Sequence, residues 1–119
     1  MNNKVFIIGG LLTLGLIVGG IFLSSKPPKS NPKLDLFAQC LSDKKLVMYG
    51  AYWCPHCQAQ KKLLGDSQYI PYVECTVEIK KCQDLGINSY PTWIDANGKR
   101  YNGQLSLDQL SQATSCPLP

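Results

Sequence analysis

The sequence predicts an α/β domain, a four-stranded mixed sheet with helices on both faces, and three observations lead there. An apolar run, Leu46-Val47-Met48-Tyr49, feeds directly into Trp53-Cys54-Pro55-His56-Cys57 and then a helical segment from Gln58 to Leu64. The remaining signals over residues 34–119 give the order helix, β, α, β, α, β, β, α. Connection lengths then set strand directions. A helix joins the first two strands, which makes them parallel, and a tight turn joins the last two, which makes them antiparallel.

Ahead of that domain, residues 1–33 read as an anchor and a tether. Val5 to Leu23 carries no charge and only Thr13 among polar side chains. Nineteen helical residues span roughly 28 Å, close to the hydrocarbon thickness of a bilayer. A cleaved signal peptide is the competing reading. The run exceeds a usual signal-peptide core, however, and Leu23-Ser24-Ser25 is a poor cleavage site. Ser24 to Pro32 has no apolar residue apart from proline, so it reads as a stiff, solvated tether.

Within the domain, Asn31-Pro32 can cap a helix carrying Leu34, Phe37, Ala38 and Leu41 inward. Lys45 to Gly50 is the first strand, and Gly65 stops the helix that follows it. Ile70 to Cys75 is the second strand, with Pro71 tolerable near its start or at an edge. Thr76 is placed to cap a short helix that ends before Gly86. Pro91 to Asp95 and Lys99 to Tyr101 form a hairpin through Asn97-Gly98. Ser106 and Gln109 have capping-box spacing for a last helix with Leu107, Leu110 and Ala113 inward.

Composition narrows the functions. The formal net charge is +4, from 12 basic and 8 acidic residues. Lys4, Lys26, Lys29 and Lys33 precede the domain and leave eight basic residues against eight acidic ones from Leu34 onward. That balance gives no nucleic-acid-binding face. Six cysteines in 119 residues favour an oxidising compartment. The lysines after the apolar span argue for a cytoplasmic domain, and the cysteines argue against it. We take the domain to lie on the extracytoplasmic side, periplasmic or lumenal.

Cys54 and Cys57 stand i, i+3 at a strand-to-helix turn, which suits reversible thiol–disulfide chemistry better than a structural disulfide or half of a zinc site. Pro55 fits the first helical position, making Cys54 the N-cap. Its sulfur can then accept a hydrogen bond from the backbone N–H of His56 or Cys57. The positive end of the helix dipole favours Cys54 as thiolate. His56, the only histidine, lies beside that thiolate and is expected to stabilise it and make the disulfide easier to reduce.

The element order, with Trp53-Cys54-Pro55-His56-Cys57 after the first strand and Tyr90-Pro91-Thr92 before the hairpin, resembles the thioredoxin fold. Met48 to Cys57, Tyr72-Val73-Glu74-Cys75 and Ser89-Tyr90-Pro91-Thr92-Trp93 are similar in particular to the thioredoxin-like domain fused to bacterial and plant vitamin K epoxide reductase homologues. That resemblance covers about residues 34–116. It implies an exposed attacking thiol at Cys54, a resolving thiol at Cys57 and a cis-proline at Pro91, with Trp53, Tyr90 and Pro91 presented to a substrate peptide. It further implies disulfide exchange with a quinone-linked membrane reductase. With one apolar span in place of the four-helix reductase, that exchange is expected in trans. The Pro55-His56 dipeptide resembles the oxidising branch of the superfamily.

One departure stands out. Relatives carry a buried acidic residue six positions before the first cysteine, and here that position is Met48. For the other cysteines the fold implies Cys75–Cys82 and Cys40–Cys116 as disulfides; spacing alone does not fix the pairing. Cys75–Cys82 reads either as structural or as a second redox pair. No cofactor or metal is expected. The leading function is a membrane-anchored thiol–disulfide oxidoreductase acting on protein thiols. A dedicated reductant for cytochrome or metallochaperone maturation is the alternative within the same chemistry. A metal module on Cys54, His56 and Cys57 would offer too few ligands for a closed zinc site.

Overall fold

The computed structural model describes residues 29–119. The expected span over residues 5–23 and most of the tether lie outside them. Among the described residues no helix is long and apolar enough to cross a membrane.

Eight elements follow the expected order: α1 (Pro32–Asp43), β1 (Val47–Gly50), α2 (Pro55–Leu63), β2 (Tyr72–Glu74), α3 (Ile79–Asp84), β3 (Thr92–Ile94), β4 (Arg100–Asn102) and α4 (Leu107–Thr114). The strands form one sheet in the order β2-β1-β3-β4. β1 and β2 are parallel, whereas β3 is antiparallel to both β1 and β4. This is a mixed α/β sheet of thioredoxin-like arrangement. Each strand is three or four residues long, shorter than the apolar runs suggest, because Leu46, Ile70 and Pro91 supply core or turn contacts outside the ladder.

Alternation along the strands divides the core in two. Met48 and Trp93, paired across β1 and β3, pack with Phe37 and Leu41 of α1, Cys57 of α2 and Leu110 of α4. Tyr49, whose side chain turns to the opposite face, packs with Val73, Ile94 and the Cys75 and Cys82 sulfurs. Helices therefore cover both faces, with α3 on the second. The element ends follow local chemistry. The Asn31 side chain accepts from the Lys33 N–H, and the Ser106–Gln109 capping box is formed in both directions. Gly65 sits at φ +70°, where a Cβ would also strike Leu34 at 2.8 Å.

One local expectation is corrected. Thr76 does not cap α3, which begins only at Ile79, with Glu78 at the N-cap position and no side-chain cap. The Glu74 carbonyl instead accepts from the Val77 and Glu78 N–H groups, holding residues 75–78 in a turn. The β3–β4 hairpin turns through Asn97-Gly98 as expected, with the Asp95 N–H donating to the Lys99 carbonyl at 3.0 Å. Asp95 organises it by accepting from the Asn97 and Lys99 N–H groups, both at 2.9 Å.

Candidate active site

β1 delivers the chain to Gly50, and four residues later Cys54 becomes the N-cap of α2, with Pro55 in the first turn. The cap bond is made by sulfur: Cys54 Sγ accepts from the Cys57 N–H at 3.2 Å. Cys54 Sγ also donates to the Tyr90 carbonyl at 3.6 Å, and the peptide bond between Tyr90 and Pro91 is cis. Trp53 stands 57% exposed with its ring edge-on to Tyr90, centroids 5.9 Å apart. The Cys-x-x-Cys turn and the loop before β3 thus meet at one thiol, with an aromatic rim beside it. Cys54 is not the exposed thiol that the resemblance implies. It is 4% exposed, against 1% for Cys57, because its sulfur points at the Tyr90 carbonyl.

Cys57 lies on the Met48–Trp93 side of the sheet, under the end of β1. A Cβ on Gly50 would fall 2.8 Å from Cys57 Sγ and 3.4 Å from Tyr72 Oη, so glycine leaves the space where these atoms approach. Tyr72 donates its hydroxyl to Glu74 Oε2 at 2.9 Å, and Glu74 Oε1 accepts from the Tyr52 N–H at 2.6 Å. Lys61, one helical turn beyond Cys57, places its ammonium 3.5 Å from the Tyr72 ring centroid. Burial pushes the Cys57 thiol up to about 12, and its hydrogen bond with Cys54 adds to the rise. The Ala51 backbone and the Lys61 charge pull it back. Tyr72 is also raised, by burial first and then by Glu74.

His56 occupies the second position of α2 and is exposed; the hydrogen bond that Cys54 accepts comes from backbone, not imidazole. Cys40 is bonded to Cys116, with the Cα atoms 5.9 Å apart, and Cys75 to Cys82, at 5.7 Å. Cys54 and Cys57 are the free cysteines among the described residues. There, too, no three His, Cys, Asp or Glu side chains converge as a metal site.

Three contributors were not among the expected site residues. Gln60, fully buried on α2, accepts from the Trp93 indole N–H at 3.3 Å and the Leu105 N–H at 2.7 Å, and donates to the Leu105 carbonyl at 3.0 Å. Its bonds fix α2, and with it Cys57, against the sheet. Tyr72 and Glu74 are the other two. Their alternate spacing on β2 and the parallel pairing of β2 with β1 were the available signals, since these place both residues on the face of Met48 and Gly50.

No family model matches the chain. Thiol-disulfide oxidoreductase LTO1 of Arabidopsis thaliana is 35% identical over 99 residues, which cover 75% of this chain and 26% of that protein. A protein disulfide-isomerase of Arthroderma benhamiae is 32% identical over 85 residues, covering 60% of this chain and 16% of that protein. The chain therefore spans only about a quarter and a sixth of these relatives. Their similarity, the thioredoxin-like sheet and the unpaired Cys54 and Cys57 together support an oxidoreductase.

Proposed function

We propose that the chain is a membrane-anchored thiol–disulfide oxidoreductase that exchanges disulfides with protein thiols on the extracytoplasmic side. One observation carries this. Of six cysteines, four are bridged and two are free, and the free pair sits at a helix N-terminus against the Tyr90–Pro91 segment. A substrate cysteine joins Cys54 in a mixed disulfide. Cys57 then attacks Cys54 Sγ and expels the substrate thiolate, or the same steps run backwards to oxidise a substrate dithiol. The exposed Trp53 and the half-buried Tyr90 offer aromatic surface to the peptide around the substrate cysteine.

The apolar stretch Val5–Leu23 supports anchoring, and the two disulfides support an oxidising compartment. A quinone-linked partner of the vitamin K epoxide reductase type, acting in trans, would recharge Cys54–Cys57 if the chain donates disulfides.

The test is trapping. Cys57→Ser should accumulate mixed disulfides with cellular proteins through Cys54, and Cys54→Ser should not. Equal trapping by both variants would overturn the assignment. Equilibration of the whole chain with glutathione then gives the direction of flow. A potential of about −120 to −180 mV marks a donor of disulfides, and one near about −270 mV a reductant. A membrane-impermeant thiol reagent should label the reduced domain in intact cells; labelling only after lysis would refute the topology.

A further inference from the structure

Resting on that exchange at Cys54–Cys57, a second problem follows from the burial of Cys57. The resolving thiol must lose its proton before it attacks Cys54, or regain one when it leaves. A thiol held up at about 12 gives up its proton poorly near neutral pH, and departs poorly as a bare thiolate. Position 48 offers no help, since the residue there is a fully buried methionine. The titratable or charged groups facing Cys57 are Cys54 on the preceding loop, Lys61 on α2 and Tyr72 on β2, with Glu74 behind the Tyr72 hydroxyl. β1 and β3 contribute Met48, Gly50 and Trp93, none of which titrates.

We propose that Tyr72 and Glu74 form the proton path of Cys57, an edge-strand relay replacing the carboxylate missing at position 48. The geometry sets the three groups in order. Cys57 Sγ and Tyr72 Oη both flank the position a Gly50 Cβ would take and are at most about 6 Å apart, within the reach of a proton transfer through one intervening water. The tyrosine hydroxyl already donates to Glu74 Oε2. Glu74 is half-buried on an edge strand, so its carboxylate reaches both the relay and solvent. A cavity of about 290 Å³ lined by Lys61, Asp66, Ser67 and Ile70 opens beside the Tyr72 ring. Tyr72 is raised well above its ordinary value, so it passes a proton on rather than holding a charge. The Lys61 ammonium, already lowering Cys57, favours the thiolate that results.

The step balances. In a Cys54–substrate mixed disulfide, the Cys57 S–H proton passes to an intervening water as that water passes one to the Tyr72 oxygen and the Tyr72 proton passes to the Glu74 carboxylate. The Cys57 thiolate attacks Cys54 Sγ, and the Cys54–substrate S–S bond breaks. The substrate leaves as thiolate with the electron pair, and the Cys54–Cys57 disulfide forms. Glu74 releases its proton to water, and the departing thiolate takes one up. When the chain oxidises a substrate the sequence reverses, and Cys57 leaves as a thiol protonated through Tyr72.

A nitroaromatic disulfide that releases a coloured thiolate separates the two thiols in the reduced full-length chain. A fast release reports attack by Cys54, and a slower one reports resolution by Cys57. Tyr72→Phe keeps the ring under Lys61, and Glu74→Gln keeps an acceptor for the Tyr52 N–H. Both should leave the fast phase unchanged and slow the second about a hundredfold near neutral pH, the lower end of what a positioned acid–base group contributes. The slow phase should also become first-order in hydroxide. A resolving phase with wild-type rate and pH profile in both variants would overturn the relay. So would parallel slowing of both phases, which marks a role in holding the loop. Absence of the fast phase in the unmodified chain would instead refute Cys54 as the attacking thiol, and with it the proposed function.

Discussion

Replacing Gln60 with leucine tests how α2 is held to the sheet. The change keeps a similar volume but removes both an acceptor and a donor from a fully buried position. Three partners are orphaned together: the Trp93 indole N–H, the Leu105 N–H and the Leu105 carbonyl. Each unsatisfied buried group costs about 1–3 kcal/mol. Trp93 is fully buried and cannot recover its bond, whereas the slightly exposed Leu105 can regain part of its hydration. The expected loss is therefore near the lower end of the sum, about 3 kcal/mol. Urea unfolding of the oxidised protein reads this directly. With a slope of about 1–2 kcal/mol per M for a domain of this size, the midpoint should fall by roughly 1.5–3 M. A loss below about 1 kcal/mol would refute the claim that these three groups depend on one amide.

Other perturbations address the site and its supports. Gly50→Ala sets a methyl 2.8 Å from Cys57 Sγ and 3.1 Å from the Tyr72 ring; it should destabilise the fold by about 1–3 kcal/mol and slow resolution by Cys57, read by unfolding and by two-phase thiol release. Removing Cys40–Cys116, which spans 76 residues, should cost about 4 kcal/mol, whereas removing Cys75–Cys82, which spans 7, should cost about 2.5 kcal/mol. Similar midpoints in the two double variants would contradict the loop-length reasoning. The raised Cys57 thiol gives a pH signature in the reduced protein. Folded Cys57 keeps its proton until about 12, whereas the unfolded thiol loses it near 9.0, so the unfolded state binds fewer protons in between. Stability is fully present below the lower value and falls as pH rises toward the upper one. Cys57→Ser should abolish that component, and identical pH profiles for the two reduced proteins would refute it.

Much of the fold was legible because its signals are local. Asn31, Ser106 and Gln109 act through their own backbone neighbourhoods, and Met48 and Tyr49 divide between two faces by simple alternation. The same locality explains the error at α3. Thr76 has the chemistry of a cap, but the turn held by the Glu74 carbonyl uses up residues 75–78 first. At the β3–β4 turn the local signal holds, because Asp95 gathers two N–H groups around Asn97-Gly98. Gln60 was beyond motif reading altogether. A glutamine within a helical segment looks like a solvated residue until the partners of its amide, Trp93 and Leu105, are brought beside it.

At the active site, the sequence exposed the thiols and the absence of a carboxylate at Met48, but not where compensation lies. The reason is geometric. A carboxylate on β1 would occupy a fully buried place on a central strand, where its charge is costly and its proton has no short way out. Placed on β2, one strand over and at the edge, Glu74 keeps contact with solvent while Tyr72 extends its reach inward. The same carboxylate fastens the Tyr52 N–H in the loop that presents Cys54. Moving the charge outward thus avoids burying an ion and ties the attacking and resolving thiols to one residue. A Glu74 variant that disturbs resolution at Cys57 while leaving attack at Cys54 intact would separate these two roles, because they use different oxygens of one side chain.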